Sequence, residues 1–232
     1  MSPRRAIRTA LVILGAHNLV QNTVLNERGY VTGNLVVSGL LVGVGRASGL
    51  GWEEMGLHPG DVRRGLRIGG WASAAMGTVA LLALGHPRAR ALLRDERATG
   101  ATARAVWRRA LLRFPVGTAL FEEVAFRGVV PALFRQTHHP VAAEALAGAV
   151  FAAWHVIPTG RALAGNPLRL ELPRARRILV IGGGSVVAGT ATIPLGWARR
   201  VTGGLLAPWL IHSSFNSLSY LAAVAAMRGQ RS

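Results

Sequence analysis

The sequence predicts an all-α, polytopic integral membrane bundle of about seven spans, with six to eight as the range, and three observations predict it. Half of the 232 residues are hydrophobic, only 16% are charged and mean hydropathy is positive, a composition of membrane chains rather than soluble domains. Apolar runs recur at about 10–25, 31–45, 67–85, 111–134, 141–157, 178–198 and 203–226, each near or somewhat below the length that a spanning helix needs. Arginine-rich connectors separate them at 46–66, 86–110 and 158–177. A single membrane domain over residues 1–232 is therefore expected.

The first run follows Arg4, Arg5 and Arg8, which imitates a signal peptide or a twin-arginine signal. His17, Asn18, Gln21 and Asn22 break it and no small-x-small cleavage site follows, so an uncleaved first helix is expected. The polar stripe reads as helix packing or as the lining of a route into a cavity. The first two runs are short and polar enough for a hairpin or a partly interfacial pair. Gly39-x-x-x-Gly43 and Gly45-x-x-x-Gly49 have the small-residue spacing that lets membrane helices approach closely.

In the first connector, Trp52, Glu53, Glu54, Met55, Gly56 and Leu57 precede Pro59-Gly60, an amphipathic stretch suited to the headgroup level. The second carries seven arginines from Arg88 to Arg109, with acids at Asp95 and Glu96, and is expected to open a helix running into the fourth span. Pro131 should kink or end that span. His138 and His139 adjoin Pro140 in a turn and read as solvated. Glu144 lies eleven residues before His155, three helical turns, so it shares that face either in a cavity or at the headgroups. Gly182-Gly183-Gly184 lacks the Lys-Ser/Thr of a phosphate loop, which favours close packing.

The net charge of +17 comes from 27 arginines and no lysine against ten acids. The arginines fall mostly between apolar runs, where an anionic bilayer surface and the positive-inside rule select them. Basic patches interleaved with aromatics are missing, so no nucleic-acid partner is expected. Loop charges do not settle orientation. The absence of cysteine excludes disulfides, thiolate nucleophiles and cysteine metal sites.

Three polar clusters lie within the apolar runs, where ionisable groups are costly enough to mark function. In the first, Glu123 and Arg127 stand one helical turn apart and can pair. Glu122 is rotated about 100° from them, with only Phe126 at its own i+4 position, and is the carboxylate left to work. The balance of desolvation against hydrogen bonding is what suits such a group to exchange protons with water. In the second, Phe151 sits one turn before His155, with small alanines between that leave room for another helix or a substrate. In the third, His212 and Asn216 aim two hydrogen-bonding side chains at one point.

Each of the last two clusters has a plain structural reading, a buried histidine with a backbone partner and interhelical bonding. Together, a carboxylate, an imidazole and a His/Asn pair on three spans could hold water, deprotonate it and stabilise a tetrahedral intermediate.

At these residues the chain resembles the CPBP family, intramembrane proteases related to the CAAX prenyl endopeptidases and to bacteriocin-immunity proteins. The signature Glu-Glu-x-x-x-Arg, Phe-x-x-x-His, His-x-x-x-Asn is matched in order by Glu122, Glu123 and Arg127, by Phe151 and His155, and by His212 and Asn216. The motif-bearing core covers about residues 104–226. The resemblance implies an integral protein of the plasma membrane that cleaves a peptide bond in a membrane-embedded or membrane-tethered substrate. It implies that Glu122 and His155 activate water, that His212 and Asn216 stabilise the oxyanion, and that Glu123, Arg127 and Phe151 support them.

Members of the family act with or without metal. Two histidines and a glutamate permit Zn²⁺ with an open fourth position, whereas the missing His-Glu-x-x-His helix and the unusual Asn216 ligand favour no cofactor. A non-catalytic membrane immunity or binding protein, or a proton-coupled transporter, are the alternative readings.

Overall fold

The computed structural model describes residues 1–93, 95, 100–164 and 172–228, apart from the side chain of Arg28. All regular structure among the described residues is helical. Helix α1 (Pro3–Thr23) starts on a proline, where a missing N–H costs nothing. It buries Ala6, Ala10, Leu14, His17 and Gln21 along one face. Helix α2 (Glu27–Ala47) buries Asn34, Ser38, Leu41 and Gly45 at the same three-to-four-residue period. The two form the expected hairpin, fastened at one end by the Met1 amino group on the Ala47 carbonyl and further along by His17 on Asn34.

Helix α3 (Val62–Gly85) is capped by Asp61, which accepts from the Arg64 amide at 2.9 Å. Only Gly65 and Gly69 are buried along it, seated on Leu206 and Leu210. Trp71, Val79, Leu81 and Leu82 face outward, which water would penalise and lipid would not. Short helix α4 (Pro87–Leu92) follows. Helix α5 is continuous over 103–135 and begins, as expected, within the arginine-rich connector, where Thr102 caps it. The remaining helices are α6 (Pro140–Trp154), α7 (Val156–Ala164), α8 (Arg174–Thr190), α9 (Thr192–Thr202) and α10 (Leu206–Arg228). His139 caps α6 by accepting from the Val141 amide.

Four stretches are long and apolar enough to cross a bilayer: Gly29–Ala47, Val62–Gly85, Pro140–Ala164 and Arg174–Thr202. The chain is an integral membrane protein. The expected runs at 10–25, 111–134 and 203–226 are helical too but are not among the four. They hold the α1 polar stripe, the Glu122–Glu123–Arg127 cluster and the His212–Asn216 cluster, which lower the hydropathy of those helices, whereas Phe151 and His155 lie within Pro140–Ala164.

Helix α5 is the central element, with 121–134 buried along its whole length. It is wound wide, with i→i+5 bonding, over Arg109–Leu120 and Val124–Val129, and returns to α geometry between them and after. In the wide register the Ala110 carbonyl would accept from residue 115, which is Pro115 and has no N–H. Ser217 Oγ donates to Ala110 O instead, at 2.7 Å. Trp209 Nε1 donates to Pro115 O at 2.8 Å and Asn34 Nδ2 to Gly117 O at 2.7 Å. Away from water, backbone carbonyls must find such partners. Pro131, expected to kink or end the helix, does not end it, and α5 runs on to Arg135.

The stretch from Trp52 to Leu57 is only half superficial. Trp52 is exposed, but Met55 is fully buried against Gly45, and its carbonyl lies where a Cβ on Gly128 would be, 2.7 Å away. Glycine spacing behaves unevenly. Gly189 packs tightly on Ala152 and Gly184 on Thr159, whereas Gly39, Gly43, Gly182 and Gly183 face open space. Room left by the small alanines of α6 is thus taken by helix α8.

Gly128→Ala is expected to destabilise by about 1–3 kcal/mol, because the clash is with main chain that cannot rotate away. Gly39→Ala should change stability by less than about 0.5 kcal/mol. Thermal or denaturant unfolding in detergent, read for both variants, checks the contrast.

Candidate active site

Glu122 and Glu123 occupy the single α turn between the two wide segments of α5, and both are buried, Glu123 completely. Arg127, one turn on, approaches Glu123 Oε1 with Nη1 at 3.5 Å, so the expected pair exists. Its guanidinium also lies 4.2 Å from the centre of the Phe151 ring, a cation–π contact that matters more out of water. Phe151 therefore touches both Arg127 and His155, the latter edge-on at 4.5 Å.

His212 comes from α10. Its Nδ1–H donates to Glu123 Oε1 at 2.7 Å, and its Nε2 lies 3.6 Å from Glu122 Oε2. A carboxylate on one ring nitrogen fixes which edge of the imidazole faces the site. Glu123 thus serves two partners, a cation on its own helix and an imidazole on another.

Glu122 has a partner that helical spacing could not reveal. Trp154 Nε1 donates to Glu122 Oε1 at 3.2 Å, while Oε2 makes no hydrogen bond within the described protein. Glu123 Oε2 lacks a hydrogen bond as well, so what sets Glu122 apart is the open space it faces, which Glu123 does not line.

Glu122 and His155, expected to act together on a water, share no direct hydrogen bond among the described residues. His155 donates through Nδ1 to Phe151 O at 2.9 Å, which leaves Nε2 as the nitrogen not bonded to the backbone. The two residues meet instead as walls of one cavity of about 930 Å³, which Glu122, His155, His212 and Asn216 all line. Three motifs distant in sequence thus open onto one space.

The rest of the wall is mixed, with Leu25, Phe114, Pro158 and Ala162 among polar side chains. Gln21 and Asn22 line it from α1, so the α1 stripe divides its work: His17 and Asn18 pack, and the next turn faces the cavity. At the mouth, Glu27 receives Arg108 at 2.9 Å, Arg109 at 3.1 Å and Arg113 at 2.8 Å, and Arg113 stacks 4.1 Å from the Tyr30 ring centre. Glu27 was invisible to motif reading, since a lone acid at a helix start has many uses; the arginine excess in the facing connector was its only signal. Glu144 points elsewhere and pairs with Arg135. Among the described residues, no three His, Cys, Asp or Glu side chains are grouped to hold a metal ion.

Residues 105–218 match the family model described as type II CAAX prenyl endopeptidase Rce1-like. The match is consistent with a CPBP family protease, bears out the resemblance carried by the three motifs, and points to a CAAX-type protease. Neither the curated proteins nor the solved structures provide a match.

Arg127→Ala would leave the buried Glu123 carboxylate with the His212 hydrogen bond but no guanidinium beside it, and is expected to cost about 3–5 kcal/mol in unfolding free energy. The double variant Glu123→Gln/Arg127→Met should lose less than the sum of its single changes. A double-mutant cycle by denaturant unfolding in detergent measures both.

Proposed function

We propose that this chain, a CPBP family protease by its motif-bearing core, is an intramembrane endopeptidase of the plasma membrane. It hydrolyses a peptide bond in a membrane-embedded or membrane-tethered protein. The observation that carries this reading is the convergence of Glu122, His155, His212 and Asn216 on one cavity.

The chemistry follows from which atoms are already engaged. With Oε1 held by Trp154, Oε2 of Glu122 is the oxygen available to take a proton from water. His155 Nε2, bare in the tautomer fixed by Phe151 O, accepts a second hydrogen bond from the same water and orients it. The new C–O bond forms as the water proton passes to Glu122, and negative charge moves to the carbonyl oxygen. Two donors stabilise that oxyanion, Nε2–H of His212 and the side-chain amide of Asn216. Donation from Nε2 requires both ring nitrogens to be protonated, and Glu123 at 2.7 Å supplies the counter-charge. Collapse breaks the C–N bond, and Glu122 returns its proton to the leaving amine. Water and protein side chains suffice for each step.

Glu122→Gln keeps size and the Trp154 contact but cannot accept the proton. Its kcat should fall by about 10²–10⁴-fold. Purified protein in proteoliposomes, cleaving a panel of lipidated and transmembrane peptides, reads the effect; full activity in Glu122→Gln removes the assigned base.

A further inference from the structure

Trp154 closes α6 and is nearly inaccessible, with 4% of its surface exposed. Its indole packs among Phe121, Phe126 and His17, with ring centroids 5.2, 5.6 and 6.2 Å away. Two hydrogen bonds tie the residue to other helices. Nε1–H donates to Glu122 Oε1, and the main-chain carbonyl accepts from Asn18 Nδ2 of α1 at 3.0 Å. His17, beside the indole, is held by Asn34 Oδ1 at 2.5 Å, and Asn34 is anchored on Gly117 O of α5.

An indole nitrogen can only donate, and when buried it usually finds an acceptor. Here the acceptor is one oxygen of a carboxylate whose other oxygen has no hydrogen bond. The two oxygens of a freely turning carboxylate are equivalent; fixing one selects the other. The selected oxygen is the one facing His212 Nε2 at 3.6 Å.

We propose that Trp154 is a positioning residue for peptide hydrolysis, holding Glu122 by Oε1 so that Oε2 alone receives the water proton, and that Asn18 and His17 of α1 lock the indole in that pose. This rests on Glu122 being the general base. It also extends the working site to α1, which lies outside residues 105–218. Trp154→Phe separates the role from packing, because the benzyl ring retains much of the aromatic contact and only the donor is lost entirely.

The test uses full-length protein in proteoliposomes with a cleavable membrane-tethered peptide. Trp154→Phe should lower kcat by about 10- to 100-fold with KM and the thermal midpoint near wild type, since a small misplacement of a catalytic group costs that much. In the Glu122→Gln background the same change should leave the residual rate unaltered, because both act through one carboxylate. Asn18→Ala should give a smaller loss, again confined to kcat. In protein labelled with ¹⁵N-tryptophan, the Trp154 indole resonance should move on Glu122→Ala, which removes its acceptor, a readout independent of turnover.

A folded Trp154→Phe protein with kcat within about twofold of wild type, alongside an inactive Glu122→Gln, overturns the positioning role and leaves the base assignment standing. An indole resonance unmoved by Glu122→Ala overturns it too, even where Trp154→Phe does not fold. Wild-type turnover by Glu122→Gln overturns both.

Discussion

Glu123 is completely buried and Arg127 all but completely, and the cost of desolvating such charges, several kcal/mol per ion, is the constraint to which the surrounding structure answers. One partner would not be enough. Arg127 stands 3.5 Å from the carboxylate, with its own second face covered by the Phe151 ring, and His212 supplies the short hydrogen bond. These contacts join α5 to α6 through Phe151 and to α10 through His212. Helix assembly and site geometry therefore share one cause: the groups that make a buried carboxylate tolerable also orient the imidazole that faces Glu122.

The wide winding of α5 adds a second tie between the same helices. A helix opened around Pro115 exposes carbonyls that lipid cannot satisfy. Side chains from its neighbours satisfy them, Ser217 and Trp209 from α10 and Asn34 from α2. Ser217 directly follows Asn216, so the bond that mends α5 also fixes the register of the turn lining the cavity. Asn34 in turn holds His17, which carries the same order into α1. Departure from α geometry is common at functional sites, and here it is what draws polar side chains from two other helices onto the motif helix.

Local spacing made much of this legible. The i, i+4 pairs placed Glu123 with Arg127, Phe151 with His155, and His212 with Asn216 on shared helix faces, and the arginine-rich connector did lead into α5. Illegible were the contacts between helices. Asn18 reaches Trp154 across 136 positions and His212 reaches Glu123 across 89, and periodicity says which face of a helix is buried without saying what it meets. The hydrogen-bond partner of Glu122 is hidden for that reason: it is Trp154, the residue next to His155. Gly39 and Gly43 misled in the opposite sense, since small-residue spacing was weighed apart from the buried stripe of Asn34, Ser38, Leu41 and Gly45 that turns them outward. Met55 slipped inward because Gly45 and Gly128 leave a notch that an amphipathic pattern cannot announce.

Glu123 sets the orientation of His212. Nitrogen NMR of ¹⁵N-histidine-labelled protein in bicelles, with the His212 signals assigned by their loss in His212→Gln, reads that orientation directly. Nδ1 should be the protonated nitrogen of the neutral ring, and Glu123→Gln should alter its signal. A bare Nδ1 with the proton on Nε2 in the neutral ring would contradict the account.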